Sequence, residues 1–114
     1  MSRIPNGSGQ PVWVDTRDYL SADETRALGN HVIGQAARCS VLGCIHFGGE
    51  RAHIARKQLG GRQPGKDGPR VRMCALHHAE VDQHAATMCL AVRRSDHAVG
   101  RLWSDGRFER MGWA

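Results

Sequence analysis

The stretch MCALHHAEVDQH, residues 73–84, places a cysteine and two adjacent histidines at the start of a segment with helical character. It predicts a helix over residues 76–87, preceded by a short strand over residues 70–73. Consecutive residues on a helix point about 100° apart, so His77 and His78 face different surroundings. One helix start therefore carries two separate candidate ligand sites.

The first candidate is a structural zinc site. A second cysteine knuckle, Cys39 and Cys44, precedes the helix by about 30 residues, and two knuckles at such a separation are typical of structural zinc. A Cys3His tetrahedron would consist of Cys39, Cys44, Cys74 and His77. Cys89 is the rival fourth ligand, but it lies in an apolar run and is interpreted as a core cysteine. The alternative without a metal is four buried free cysteines.

The second candidate site consists of His78 and Asp82, which share a helix face because they are four residues apart. One histidine and one carboxylate leave several ligand positions vacant, which suits a catalytic divalent ion. His84 is close enough in sequence to be an alternative ligand. A solvated helix face without a metal is the alternative interpretation.

A third candidate lies upstream, where residues 50–55, ERAHIA, can form a short strand. Side chains alternate along a strand, so Ala52 and Ile54 share one face and Arg51 and His53 share the other. A neutral histidine held there can remove a proton from water near pH 7. A purely structural histidine is the alternative.

The order of these features resembles the HNH (ββα-metal) nucleases, particularly phage and prophage members with an associated zinc knuckle. The resemblance covers residues 39–84, less than half the chain. It rests on Ala52-His53-Ile54, the loop at Gly60-Gly61, Lys66, Asp67, Met73-Cys74-Ala75-Leu76-His77-His78 and Asp82.

The resemblance implies a role for each matching residue. His53 matches the general base, Asp67 the residue that orients this base, and His78 and Asp82 the metal ligands on the helix. The family often has a metal ligand immediately before the base, where this chain has alanine, and Glu50 is the nearby carboxylate that would replace it. The implied reaction is hydrolysis of DNA to 5′-phosphate and 3′-hydroxyl ends.

Composition indicates one small domain that depends on a metal. The chain has 114 residues, of which 40% are hydrophobic and 5% aromatic, and such thin cores often need a metal or disulfides. We expect a flexible tail over residues 1–11 and a single domain over residues 12–114, with the motif core at 39–87. The sequence has no transmembrane run, and we expect no secretory signal, so a membrane-spanning or secreted disulfide-rich protein is not expected. The expected location is cytoplasmic, in a bacterial or phage-encoded protein.

The positive charge is concentrated in one segment. The formal net charge is +5, yet residues 51–72 alone carry seven basic side chains and one acidic side chain. Arginine binds phosphate bidentately, so the expected partner is DNA and not a membrane, and a homodimer is left open. The residues expected to contact DNA are Arg51, Arg56, Lys57, Arg62, Lys66, Arg70 and Arg72.

An N-terminal helix is expected over residues 22–37. Ser21 and Glu24 have the spacing of a capping box. Apolar residues at positions 28, 32, 33 and 36 would form its buried stripe.

A C-terminal hairpin is expected from two strands, residues 99–103 and 107–111, around Ser104-Asp105-Gly106. Trp103, Phe108 and Trp113 would pack in or near the core. The expected fold class is therefore a small α+β, zinc-stabilised ββα-metal (HNH-like) domain with an N-terminal helix and a C-terminal β-hairpin.

These patterns predict a metal-dependent DNA endonuclease with a structural Zn²⁺ and a catalytic Mg²⁺, Mn²⁺, Ni²⁺ or Zn²⁺. The alternative is a non-catalytic, zinc-stabilised nucleic-acid-binding or adaptor module that uses the same cysteines and arginines. The two functions differ at His53 and at the second metal, because a binding module needs neither.

Overall fold

The structure, a computed structural model, describes residues 16–35, 38–54, 68–84 and 87–114. Over these ranges the chain has the predicted α+β composition, with two short helices and two three-stranded sheets. The elements are a 3-10 turn (Thr16–Asp18), α1 (Ala22–Arg26), β1 (Val32–Ile33), β2 (Glu50–His53), β3 (Arg70–Met73), α2 (Ala75–Gln83), β4 (Met88–Val92), β5 (Ala98–Trp103) and β6 (Phe108–Trp113). The predicted tail over residues 1–11 lies outside the described residues, as do Arg56, Lys57, Arg62, Lys66 and Asp67.

The N-terminal helix is much shorter than predicted. Its capping box is confirmed, because the Ser21 hydroxyl accepts from the Glu24 N–H at 3.2 Å and the Glu24 carboxylate accepts from the Ser21 N–H at 2.9 Å. The helix ends at Arg26, and the chain then turns at Gly29, which has a φ of 99°. Glycine adopts this left-handed conformation without the steric cost that a side chain brings. The prediction of a helix over residues 22–37 is therefore wrong beyond Arg26.

Val32 and Ile33, assigned from sequence to the helical stripe, form a strand instead. β1 pairs in parallel with β3, with Val32 opposite Arg70 and Ile33 opposite Val71. Both residues are β-branched and suit a pleated strand. Short apolar runs do not distinguish a helix from a strand by periodicity, so the pairing with β3 decides the outcome.

The two strands predicted before α2 are confirmed as a pair. β3 has the predicted bounds, and β2 runs antiparallel to it. The sheet order is β1-β3-β2, so β2 is an edge strand. α2 follows β3 directly, as predicted, but it ends at Gln83 with His84 as its C-cap, so the prediction of a helix as far as residue 87 is wrong.

The C-terminal hairpin is confirmed, with strands longer than predicted. β5 pairs antiparallel with β6, and Gly106 in the connecting turn has a φ of 102°. Trp103 and Phe108 pack against the core as predicted. Trp113 is 53% exposed and therefore not a core residue, and the Arg110 guanidinium packs over its ring at 4.3 Å.

The apolar run around Cys89 forms a strand that sequence analysis treated only as core. β4 pairs with β5, and all five of its residues are buried. A strand covered on both faces has no alternation of polar and apolar residues, which removes the usual strand signal.

One core joins the two sheets and α2. It includes Val71 and Met73 from the first sheet, Val81 from α2, and Leu90 and Val99 from the second sheet. Within the described ranges, no helix has the length and apolar character needed to cross a bilayer.

An ion pair at the start of α1 gives a prediction for acid stability. Arg94 donates to both Glu24 carboxylate oxygens at 2.7 and 2.8 Å. This pair, with the Ser21 N–H, holds the pKa of the Glu24 carboxyl at about 2, below its ordinary 4.5. A depressed folded-state pKa stabilises the fold above the unfolded-state value and loses that effect as the pH falls to the folded value. We expect Glu24→Gln to lower the unfolding midpoint at neutral pH, and the gap from wild type to shrink between pH 4.5 and about 2.

The measurement is the urea midpoint of both proteins across this pH range. Arg94→Gln is the companion variant. It removes the other half of the same pair together with hydrogen bonds to the Arg17 and Tyr19 carbonyls, so it should lower the midpoint at neutral pH by at least as much. A gap that stays constant as the pH falls would contradict the role of this ion pair.

Candidate metal centre and basic sheet face

Four ligand atoms from the two predicted knuckles converge on one point. The ligand atoms of Cys39, Cys44, Cys74 and His77 all lie within 4.8 Å of one another. His77 Nδ1 is 3.5 Å from Cys39 Sγ and 3.3 Å from Cys74 Sγ, and the sulfurs of Cys44 and Cys74 are 4.0 Å apart. A tetrahedral zinc ion requires S···N and S···S separations of about 3.6 and 3.8 Å, from its usual bond lengths. The donor set and its spacing therefore fit a structural metal ion such as zinc.

The first knuckle is shaped by a tight turn between its cysteines. The Cys44 N–H donates to the Val41 carbonyl at 3.0 Å, and Gly43 has a φ of 83°. This is the turn geometry that calls for glycine at its third position. The Ser40 N–H also donates to the Arg72 carbonyl at 2.9 Å, which fixes the knuckle to β3.

The second knuckle is built on the start of α2. Cys74 is the N-cap of this helix, and its sulfur accepts from the His77 N–H at 3.4 Å. Cys74 thus connects β3 to α2, caps this helix and offers a ligand atom at the same time. His77, in the first turn, directs Nδ1 to the same point.

The thiols differ in acidity because their surroundings differ. Burial raises the pKa of the Cys39 thiol above its ordinary value. At Cys74 burial opposes ionisation, but hydrogen bonds from the His77 N–H and from the thiols of Cys39 and Cys44 outweigh it and lower the pKa. Metals bind thiolates, so occupancy by a metal requires proton release and depends on pH.

Two neighbouring residues have different relations to this cluster. Cys89 is fully buried in β4 and packs with Tyr19, Ala91 and Leu102, away from the four ligands. The interpretation of Cys89 as a core residue is therefore confirmed. His46, which follows the first knuckle, has its Nδ1 3.7 Å from Cys44 Sγ.

Glu50 and His78 contact each other beside the Cys3His ligand cluster. Glu50 is the first residue of β2, and its Oε1 lies 2.5 Å from His78 Nδ1 on α2. The structure thus brings together a carboxylate and an imidazole that sequence analysis assigned to one metal. Asp82 lies one turn further along α2 and is exposed. In the described ranges, the Cys39, Cys44, Cys74 and His77 group is the one in which at least three ligand atoms come within 4.8 Å.

His53 lies on the other face of the same sheet. Along β2, Ala52 is buried and Arg51 and His53 are exposed, as the predicted alternation requires. The same alternation puts Glu50 with Ala52 on the face that packs against α2. His53 and the Glu50–His78 pair are therefore on opposite faces of β2, three residues or about 10 Å apart along the strand.

The face that carries His53 is basic. Arg51 is directly opposite Arg72 and His53 directly opposite Arg70, and like charges in this arrangement are unfavourable. Arg70 donates through Nη2 to Asn30 at 2.8 Å, while its buried Nε lacks a hydrogen-bond partner among the described residues. We call Arg51, His53, Arg70 and Arg72 the basic sheet face. Its charges favour a bound anion.

His84 lies outside both groups. It is the C-cap of α2, and its ring lies 6.1 Å from the Trp103 ring.

Comparisons with protein-family models, curated proteins and solved structures found no match to the chain.

Proposed function

We propose that this protein is a metal-dependent DNA endonuclease of the HNH type, with a structural zinc ion held by Cys39, Cys44, Cys74 and His77. The observation that carries the proposal is the contact between Glu50 and His78. This contact joins β2 to α2 next to the proposed zinc ligands. The resemblance to the HNH nucleases implies a catalytic ion at this position. Carboxylate and imidazole ligands suit Mg²⁺, Mn²⁺, Ni²⁺ or Zn²⁺.

Glu50, His78 and Asp82 would hold the catalytic ion. Glu50 has a second carboxylate oxygen beside the one that contacts His78, and this oxygen would be available to a cation. When bound, the ion would supply positive charge at the scissile phosphate and at the departing 3′ oxygen.

His53 is the proposed general base. It is the last residue of an edge strand, so its imidazole is reachable from solvent. A neutral imidazole can take the proton from a water that attacks phosphorus, and the phosphate must then lie across the open edge of β2. The base and the ion would therefore act from the two faces of β2, about 10 Å apart along the strand.

The basic sheet face supplies the remaining contacts. Arg51, Arg70 and Arg72 would neutralise phosphates next to the one that is cut. Such contacts contribute affinity and salt sensitivity but little sequence preference.

A second candidate function is a zinc-stabilised nucleic-acid-binding module without catalysis. The placement of His53 on the face opposite to the Glu50–His78 pair favours it, because a binding face needs no metal next to its histidine. The Glu50–His78 contact would then join β2 to α2 and have no other role. The same zinc site and the same basic sheet face serve both functions.

Supercoiled plasmid separates the two. With Mg²⁺, Mn²⁺ or Ni²⁺ added, we expect wild-type protein to convert the plasmid to nicked or linear DNA. Binding to a short duplex is measured in parallel without added divalent ion. The logarithm of the association constant should fall with the logarithm of the salt concentration, with a slope of about −0.9 for each phosphate contact.

Binding that depends on salt without cleavage by any of the three ions would support the module. Cleavage would support the endonuclease, and the DNA ends then report the chemistry: ligation by a DNA ligase requires the expected 5′-phosphate and 3′-hydroxyl. An absence of both binding and cleavage would contradict both functions.

A further inference from the structure

Large apolar side chains are exposed around the metal cluster. The described residues include five strongly exposed large apolar side chains, and four of them belong to the two knuckles: Leu42 at 90%, Ile45 at 82%, Phe47 at 69% and Leu76 at 70%. Each of the four lies within three residues of a zinc ligand in sequence. We call these four residues the apolar tip.

The apolar tip is held by well-defined backbone. Leu42 occupies the outer corner of the turn between Cys39 and Cys44, and Leu76 precedes His77 in the first turn of α2. The Phe47 ring lies against Gly49, where an added Cβ would come within 2.8 Å of the ring. A metal bound at the four ligands fixes both segments, so the exposed side chains project from a rigid support.

The first knuckle and the chain that flanks it carry basic and no acidic side chains. Residues 31–49 contain no acidic side chain. Arg38 is exposed beside Cys39, and the hydrogen bond from Ser40 to the Arg72 carbonyl attaches the knuckle to a strand of the basic sheet face. Glu109, near Leu42 in one shallow pocket, is paired with Arg101 at 2.8 Å.

A second copy of the chain fits this surface poorly. Four strongly exposed apolar side chains offer less area than the roughly 800 Å² that a stable interface buries on each partner. Two such surfaces would also bring their arginines together, since the chain carries a net charge of +5. An anionic partner complements the positive charge of the chain. A partner with stacked aromatic rings could also accommodate the exposed apolar side chains between them.

DNA has both properties, and we propose that the apolar tip enters DNA as a wedge between base pairs while the neighbouring arginines hold the phosphates. Proteins that insert Phe, Leu or Ile between base steps unstack the bases and bend the duplex. Pyrimidine–purine steps such as TA deform most easily, so the wedge selects flexible steps. This inference rests on the proposed function only in taking DNA as the partner, because unstacking does not require cleavage.

The experiment uses a duplex with 2-aminopurine next to a central TA step, without an added divalent ion. Wild-type binding should raise the 2-aminopurine fluorescence, since the base loses its stacking. The double variant Leu42→Gln, Ile45→Gln should bind about tenfold more weakly and give no rise, a loss equal to about 1.4 kcal/mol. Both positions are exposed, so the double variant should fold, and unchanged zinc content and circular dichroism would verify that.

Trp113→Gln is the matched control. Trp113 is the exposed large apolar side chain that belongs to neither knuckle, on β6, and its loss should leave both affinity and fluorescence unchanged. Wild-type binding without a rise in fluorescence would overturn the wedge, as would equal affinity of the double variant.

Two other occupants are tested with the same double variant. Vesicles of phosphatidylcholine and phosphatidylglycerol that bind the wild type and release the variant would assign the apolar tip to a membrane and overturn the proposal. A dimer seen by analytical ultracentrifugation for the wild type and absent in the variant would do the same. Unstacking of the bases without plasmid nicking would support the wedge and contradict the endonuclease. Nicking without unstacking would support the endonuclease and contradict the wedge.

Discussion

The Cys39→Ser variant is expected to be largely unfolded at room temperature and neutral pH. Structural zinc in small domains contributes an apparent 10–16 kcal/mol or so of binding free energy, whereas a whole domain is stable by only about 5–15 kcal/mol. Cys39 is 2% exposed and lies 3.5 Å from the ligand atom of His77. Its loss therefore removes a ligand from the interior of the site.

Zinc content and thermal unfolding measure this effect together. Wild-type protein should contain one zinc ion per chain and unfold in a single transition that disappears after treatment with a strong chelator. The Cys39→Ser variant should contain far less zinc and resemble the chelated wild type before any chelator is added.

Cys89→Ala provides the control, because Cys89 is equally buried but lies outside the cluster. It should keep one zinc ion and lose only the stability that a small core truncation costs, about 1 kcal/mol. The structural role of the metal would be refuted by a Cys39→Ser protein that melts like the wild type, or by zinc loss from Cys89→Ala alone.

The second large effect is expected on plasmid nicking. A general base contributes about 10²–10⁴-fold to a hydrolytic rate, so His53→Ala should nick at least a hundredfold more slowly than wild type. His78→Ala should lose activity to a similar or greater extent, because it removes a ligand of the catalytic ion. The rates are measured at saturating Mn²⁺ with equal amounts of folded protein.

The two variants should differ in their binding of a second divalent ion and in their response to added imidazole. His53→Ala should still bind a second divalent ion by calorimetry, and added imidazole should restore part of its nicking, since a free base can fill the space left by the side chain. His78→Ala should bind only zinc and gain nothing from imidazole.

His97→Asn is the matched control for both, as an exposed histidine on the remote turn before β5. Asparagine tolerates its φ of 59°. Normal nicking by His53→Ala would remove His53 from the mechanism and leave the zinc-stabilised binding module as the better reading of the basic sheet face.

The metal cluster was the most predictable part of the molecule. Ligand chemistry restricts a structural zinc site to a few residue types at short spacings, so Cys39, Cys44, Cys74 and His77 could be chosen without a fold. The strand Arg70–Met73 and the C-terminal hairpin were also predictable, because turn residues mark their ends. Glu50 could be named only as a nearby carboxylate, and its contact with His78 depends on the register of β2 against β3.

The errors come from segments whose neighbours decide their structure. Val32 and Ile33 match a helical stripe, and only the backbone of β3 makes them a strand. β4 gives no alternating pattern because both of its faces are covered. The apolar tip has no periodicity at all, and the available signal was the unusual presence of Leu42, Ile45 and Phe47 within a loop rich in metal ligands.

The position of Cys74 has a consequence for the protein in a living cell. Cys74 directly follows β3, caps α2 and offers a ligand atom to the four-residue cluster, so we predict that a newly made chain completes this part of its fold only when it acquires zinc. Chains without the metal would then expose their apolar segments to proteases and chaperones. The amount of intact protein should therefore follow the zinc supply of the cell, even at a constant rate of synthesis.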